Sequence, residues 1–354
     1  MRLCRHGRSA GFGLVAALTL APSIAVAHHS RAAYDIDETI ALDGTVTKVD
    51  WRNPHVFIDA VVVNAAGGEE EWTFEGHSLA GFRALGWDRD TVAVGDRVRF
   101  VANPSVNPTR RSAMLDNVTL EDGSRYYAFS IPEGETVASA EDRTPTAPST
   151  DFSGTWILEV SRREGQIVNF QPPAEWPLTE AGAAQIAQFD FSDSPSLDCQ
   201  AASGAVPGFI TTPYGHRWSR TEDAITITRD NPSSKGERVI HLGGAPPADL
   251  APDQFGYSVG RIEADGALVV ETTHFAPARW GNAPGLDSSD QKRVMERYEL
   301  IDEGYGLRVS YTLEDPVYLR EALTRTGEYH KQSDYSFVTE PCEPEVARRH
   351  LEIE

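Results

Sequence analysis

Apolar and polar residues alternate along the first half of the chain with the two-residue period of β-strands. A short helix is predicted after the third strand, because Ser78 can cap its start and Gly86 can end it. Three strands, a helix and two strands are the order of an OB-like five-stranded barrel. The predicted strands are 39–51, 55–63, about 71–75, 94–101 and 113–120.

The second half also consists mainly of short segments with strand character, separated by Gly, Pro and Asn. Asp265-Gly266 is a hairpin signal between two of them. A Gly-x-Trp pattern, here Gly154-Thr155-Trp156 near the first strand, also occurs in lipocalin-like barrels. We therefore predict an all-β chain whose second half is an antiparallel lipocalin-like barrel or curved sheet. The clearest segments are strands at 224–228, 257–262, 267–273, 294–300 and 307–313, and helices at 179–188 and 344–354.

A segment poor in large apolar residues separates the two halves. Residues 131–150 are rich in Pro, Ser, Thr, Ala and acidic residues, which is typical of a linker. We therefore predict an OB-like domain at 28–130 and a lipocalin-like domain with a C-terminal helix at 151–354.

The first 27 residues have the parts of a secretory signal peptide. Arg2, Arg5 and Arg8 form a basic start, a mostly apolar run follows, and Ala25-Val26-Ala27 is a small-x-small cleavage site. The apolar run is too short for a permanent membrane span. We expect a periplasmic or secreted protein that begins at His28. Cleavage after Ala25 is an alternative, which would leave Val26-Ala27-His28 as the new start.

The chain is strongly acidic. It has 32 basic and 53 acidic residues, a formal net charge of −21, and loss of the leader would remove three arginines and no acid. Nucleic acids and anionic lipids need clustered positive charge, so neither is an expected partner. The acidity is spread along the chain, as in a solvated surface that keeps a protein soluble.

Two cysteines remain after the leader is removed, Cys199 and Cys342. An even pair in an oxidising compartment favours a disulfide between them. This bond would close a long loop and contribute about 2 to 4 kcal/mol. The alternative is two separately buried thiols.

A histidine at the start of the mature chain would be a metal chelate. The amine and Nδ1 of His28 can bind one ion together, and another imidazole would complete a T-shaped site that favours copper. His55 is the first candidate, because Asn53-Pro54 fixes a turn before it, and His77 is the second. The alternative is that a histidine stands first by chance and that His55 only holds its turn through a backbone hydrogen bond.

Aromatic and histidine residues in the second half are candidates for a ligand pocket. Aromatic walls with few polar groups suit a hydrophobic small molecule, although they suit an ordinary barrel core equally well. Glycine-rich phosphate loops, nucleophile elbows and paired CxxC motifs are absent from the sequence. The pocket candidates are His216, Trp218, Tyr257, His274 and Trp280.

Residues 28–129 carry a set of motifs: His28-His29-Ser30, Leu42–Trp51, Asn53-Pro54-His55, Trp72-x-Phe74-Glu75-Gly76, Leu85-Gly86-Trp87 and Val94–Val98. Through these motifs they resemble an exported bacterial family of unknown function, known as domain of unknown function 6152. The second half resembles another uncharacterised exported domain, through Gly256-Tyr257-Ser258-Val259-Gly260-Arg261 and Glu296-Arg297-Tyr298. Neither resemblance implies an activity.

Three hypotheses for function follow. The first is a periplasmic binding or accessory protein with a copper site and a pocket for a hydrophobic small molecule. The second is a lipocalin-like isomerase or hydratase, with His216 and His274 as acid–base groups. The third is a structural envelope protein that binds other proteins through exposed strand edges. Since no catalytic group is evident, the first is preferred.

Overall fold

The first half of the chain forms a small β-barrel with one helix. The computed structural model describes residues 33–64, 66–129, 147–158, 175–200, 215–230, 237–332, 335 and 337–352. The elements of the first barrel are β1 (Ile40–Asp50), β2 (Phe57–Val63), β3 (Glu69–Glu75), α1 (Leu79–Ala84), β4 (Arg97–Pro104), β5 (Ser112–Leu120) and β6 (Arg125–Tyr127).

Five strands close this barrel in the order β1-β2-β3-β5-β4, and β6 adds to β5. Closure depends on the parallel pairing of β3 with β5, which places Phe74 beside Ala113. The other pairings in the ring are antiparallel. Phe74 and Phe100 stack in its core with their ring centroids 4.0 Å apart. The predicted OB-like five-stranded barrel is therefore confirmed.

Helix α1 forms between β3 and β4 as the sequence predicts, and it packs on the core of the first barrel. The Ser78 hydroxyl accepts a hydrogen bond from the Gly81 amide at 3.2 Å and so caps the first turn. Gly86 follows the helix with a φ of 85°, a conformation that glycine adopts without a steric penalty. Phe82 is fully buried and stacks on Trp87 at 4.3 Å, which fixes the helix against the core.

The second half forms a closed barrel of nine strands. Helix α2 (Glu180–Ala187) lies between its first two strands, and α3 (Pro344–Glu352) follows the last. The hairpin β13–β14 forms a separate two-stranded sheet. The strands are β7 (Gly154–Leu158), β8 (His216–Arg220), β9 (Ala224–Arg229), β10 (Glu237–Leu242), β11 (Tyr257–Ile262), β12 (Leu268–Thr273), β13 (Ala278–Ala283), β14 (Leu286–Ser288), β15 (Arg293–Ile301), β16 (Gly306–Glu314) and β17 (Leu323–Lys331).

The order around this barrel is β7-β8-β9-β10-β11-β12-β15-β16-β17, and β17 pairs with β7 to close it. Neighbours in a closed antiparallel ring must alternate in direction, so an odd number of strands requires a parallel pair. That pair is β10 with β11, joined by Ile240↔Ser258, His241↔Val259 and Leu242↔Gly260. The expectation of a mainly antiparallel second barrel is confirmed.

The interior of the second barrel combines apolar packing with a buried ion pair. Trp156 is fully buried, and its indole N–H donates to the Phe152 carbonyl at 2.9 Å. Arg238 forms a bidentate pair with Glu296, one contact being 2.8 Å. The Ser258 hydroxyl also accepts from Arg238 Nε at 3.1 Å. A bidentate geometry with further hydrogen bonds makes a buried ion pair tolerable.

Residues 337–352, called here the C-terminal tail, leave the second barrel and contact the first. The Val338 side chain packs in the core of the first barrel, while its amide donates to Asp230 of the second. A disulfide joins Cys199 to Cys342 across 143 residues, as the sequence predicts. Among the described residues, no helix is long and apolar enough to cross a membrane.

Candidate functional site

His55 lies at the start of β2, beside a buried carboxylate. The Asn53-Pro54 peptide bond before it is cis. His55 Nδ1 hydrogen-bonds to Glu75 Oε1, and Glu75 Oε2 accepts from the Tyr34 hydroxyl at 2.9 Å. The His55 side chain is 33% exposed, whereas that of Glu75 is 1% exposed. These contacts define the His55 site, consisting of Tyr34, His55 and Glu75.

In the His55 site, the Glu75 carboxylate lies between the Tyr34 hydroxyl and the His55 ring. Burial, and then the negative charge of Glu75, raise the pKa of Tyr34 well above its ordinary value, so the phenol keeps its proton. A carboxylate that accepts from Nδ1 places the proton of a neutral His55 on that nitrogen. Nε2 is then the ring atom with a lone pair for a metal ion. Metal-binding histidines commonly have such a carboxylate on the other ring nitrogen.

His77 lies across from His55, where β2 and β3 diverge. The Val56 amide donates to the His77 carbonyl at 3.0 Å, which joins the two segments. His77 Nδ1 accepts from the Ser78 amide at 2.7 Å, and its ring stacks on Phe129. An acceptor Nδ1 places the proton of a neutral ring on Nε2. To bind a metal through Nδ1, His77 would therefore have to lose this hydrogen bond. To bind one through Nε2, it would have to change its tautomer.

The other predicted ligand, His28, lies outside the described residues. Within the described parts of the chain, no group of three or more His, Cys, Asp or Glu side chains is arranged to hold a metal ion. His55 and His77 therefore stay predictions as metal ligands. Their local environments differ, because the Glu75 carboxylate contacts the His55 ring, whereas the Ser78 amide donates to that of His77.

Sequence reasoning missed Tyr34 and Glu75. Alternation along β3 places Phe74 inside and would place Glu75 on the solvent side. Phe74 and Glu75 are both buried: Glu75 is still paired with Phe57 of β2 and Met114 of β5, and Tyr34 and His55 cover its carboxylate. The signal available in the sequence was the position of Glu75 at the end of the Trp72-x-Phe74-Glu75 motif, only twenty residues after His55.

The five predicted pocket residues belong to segments at one end of the second barrel but do not line one cavity. His216 and Trp218 point inward and are nearly fully buried. Tyr257 alternates with inward-facing Ser258, so it lies outside the barrel and stacks on His241 at 4.4 Å. His274 is exposed, and Trp280 stacks on Phe189 at 5.3 Å. Ligand binding by this set stays a prediction.

The interior at that end of the barrel is more polar than the sequence indicated. It includes Arg238, Glu296, Ser258 and Thr272, joined by hydrogen bonds. Burial, and then the charge of Arg229, lower the pKa of His216 well below its ordinary value, so its imidazole is neutral. His216 and His274 occupy different environments, and acid–base action by them also stays a prediction.

Lys292 is a further buried ionisable group that sequence reasoning missed. Its ammonium donates to the Gly281 carbonyl at 2.6 Å and lies 4.9 Å from the centre of the Phe275 ring. Burial, assisted by the charge of Arg238, lowers the pKa of Lys292 to about 7, although the charge of Asp315 opposes the shift. The sequence carried no signal for this, since Lys292 comes just before a strand with ordinary alternation.

Comparison with known proteins gives one match. The model of a family of unknown function (DUF6152) matches residues 16–113, so this part of the chain is similar to that family. No curated protein and no solved structure matches the chain. The match supports the resemblance of the N-terminal half and supplies no activity.

Proposed function

We propose that the protein is an exported copper-binding accessory protein, in which His55 and the N-terminal His28 of the processed chain hold one copper ion. The observation that carries the proposal is the hydrogen bond from a partly exposed His55 to the buried carboxylate of Glu75. This contact orients the ring and leaves the lone pair of Nε2 for a metal ion, as the carboxylate partner of a histidine does in many metal sites.

Copper is favoured by the donor set. An amine and two imidazoles provide nitrogen ligands, which select Cu(II) by intrinsic affinity over other divalent first-row ions. The ring of His28 and its amine would bind as a chelate, and His55 would supply the third nitrogen. We propose storage or transfer of copper and not catalysis, because none of the residues named here has been assigned a role in a reaction.

The test is Cu(II) titration of protein purified after export, with its first residue determined by intact mass. We expect a chain that starts at His28 and binds one equivalent of Cu(II). Replacing His55 by Gln should abolish tight binding. Glu75→Gln should weaken it by about 10- to 100-fold, because the ring loses its orienting carboxylate.

His274→Gln is the matched control, since it removes an exposed imidazole from the other barrel and should leave the affinity unchanged. A His55→Gln variant that binds Cu(II) as tightly as the unmodified protein would refute the proposal. That result, together with a chain beginning at Val26, would indicate binding through the backbone amides of the terminus alone.

A further inference from the structure

The C-terminal tail contacts the first barrel on both sides of His55. Before it, Arg52 pairs with Glu343 at 2.5 Å. After it, the Arg349 guanidinium lies 4.5 Å from the centre of the Phe57 ring and 3.4 Å from an Asp59 oxygen. The segment that presents His55 is thus held by residues almost 300 positions later in the sequence.

Asn53 is the central contact between the tail and the turn. Its side chain is nearly fully buried, and Nδ2 donates to the Glu340 carbonyl at 3.2 Å. Its own carbonyl accepts from the Glu343 amide at 3.2 Å, while Oδ1 accepts from the Leu79 amide at 3.3 Å. Asn53 therefore ties the turn before His55 to the tail on one side and to the start of α1 on the other.

Arg349 joins two strands beside the His55 site. One of its nitrogens lies 3.2 Å from Asp50 at the end of β1, and another lies 3.4 Å from Asp59 in β2. Asp50 also accepts from Arg52 Nε at 2.5 Å. The Arg349 side chain is 24% exposed and that of Asp50 is 8% exposed, so solvent screens these charges only in part.

The disulfide holds the tail in this position. Cys342 forms an isolated parallel bridge with Asn53, and its sulfur is bonded to Cys199 of the second barrel's domain. The disulfide therefore lies next to the Asn53 contacts that fix the turn before His55. Helix α3 begins two residues later and carries Arg349 to the first barrel.

We infer that the C-terminal tail is a positioning element of the His55 site, acting through Asn53 and Arg349, so that the second half of the chain sets the copper affinity of the first. This inference rests on the proposed function. The tail contacts His55 through its neighbours in sequence, and it is expected to hold the ring against Glu75.

The experiment compares two substitutions in α3 that each remove one positive charge. Arg349→Gln removes the contacts with Asp50, Asp59 and Phe57, whereas Arg348→Gln removes only the pair with Asp198. Cu(II) affinity is measured for both, with the electron paramagnetic resonance spectrum of the bound ion. In the metal-free proteins, ¹⁵N spectra of labelled histidine report the tautomer of His55, whose signal is assigned with His55→Gln.

We expect Arg349→Gln to weaken Cu(II) binding about tenfold and to change both spectra, because the ring is less firmly oriented. Arg348→Gln should match the unmodified protein. Replacing both Cys199 and Cys342 by Ser should act in the same direction as Arg349→Gln, with native folding checked by circular dichroism.

Unchanged affinity and unchanged spectra in Arg349→Gln and in the double cysteine variant would overturn the inference while leaving the proposed function intact. If the unmodified protein binds no Cu(II), the proposed function fails. The metal-free histidine spectra then decide by themselves whether the tail positions His55: an altered His55 signal in Arg349→Gln supports this, and an identical one refutes it.

Discussion

Arg238 is tolerated inside the second barrel because acceptors surround its guanidinium. Glu296 takes two of its hydrogen bonds, and the hydroxyl groups of Ser258 and Thr272 take others. Tyr298 completes the group by donating to Glu296 at 2.5 Å. The Lys292 ammonium, which donates to the Gly281 carbonyl, is also buried, and burial lowers its pKa to about 7.

Lys292 should make stability depend on pH. Its pKa of about 7 in the folded protein lies below the ordinary value of 10.5, so between these values the unfolded chain binds more protons. The free energy of unfolding should therefore rise with pH across this window, by about 1 kcal/mol per pH unit from this group. Urea unfolding at pH 7, 8 and 9 measures the slope.

Lys292→Met provides the comparison for that slope. Methionine has a similar length without a charge, so the variant should show a flatter dependence than the unmodified protein over the same pH range. The difference between the two slopes isolates Lys292 from groups that titrate in both proteins. Parallel slopes would contradict the assigned shift.

At the scale of single elements, α1 shows how a local signal and a tertiary contact combine. Ser78 and Gly86 determined its ends and could be read from the sequence. Gly81 has a different role, because a Cβ there would lie 2.3 Å from Nδ1 of His77 and 2.4 Å from its Cγ. The helix thus keeps a glycine where the His77 ring packs against it.

Gly81→Ala should destabilise the protein, although alanine is favoured over glycine by about 1 kcal/mol within a helix. The added Cβ would displace the His77 ring from its hydrogen bond with Ser78 and from Phe129. Chemical denaturation measures the change in the free energy of unfolding, and we expect a loss of about 1 to 3 kcal/mol.

Removal of the histidine ring tests the cause. In a His77→Ala background the space is open, so Gly81→Ala should become neutral or stabilising by its helix propensity. The double-mutant cycle therefore predicts strong coupling between the two positions. Additive effects would show that the clash does not determine the cost.

The sequence predicted elements with regular alternation and missed contacts between distant segments. Strand β11 was predicted with the bounds that the structure shows, and the turn at Asp265-Gly266 joins it to β12. The hairpin β13–β14 was missed, because Trp280 has a φ of 54° and the pairing shifts register around it. Glu75 and Arg349 were missed because no local periodicity relates β3 to a helix over 250 residues later.

At the scale of the whole molecule, the two barrels are joined by more than the chain between them. The C-terminal tail places Val338 in the first core, and Arg349 pairs with Asp50 and Asp59 on the first barrel. Cys199 and Cys342 both belong to the second half, so the disulfide does not join the halves covalently. The disulfide fixes the C-terminal tail, and the noncovalent contacts of this tail join the two halves.

Cleavage in the predicted linker should therefore leave the halves associated. A specific protease site inserted within 131–150 allows the chain to be cut after folding. We expect both fragments to elute together in size-exclusion chromatography with light scattering, because the tail contacts survive the cut. High salt should weaken the association, since several of those contacts are ion pairs.

A chain that ends after Cys342 is the matched control. It keeps the disulfide and loses Glu343 together with α3, which carries Glu345 and Arg349. The cut halves should therefore separate more readily than those of the full chain. Separate elution of the halves in both proteins would show that the tail contacts do not hold them together.

The pairing of β7 with β17 has a consequence for how the protein is made. Synthesis proceeds from the first residue to the last, so the first strand of the second barrel must wait for residues up to 331 before its closing partner exists. Until then, the growing chain has two unsatisfied strand edges, which invite pairing with other molecules. The tail that supports the first barrel comes later still. The second barrel therefore stays open at this seam until β17 has been made, and a chain that stops short of β17 should be prone to aggregation.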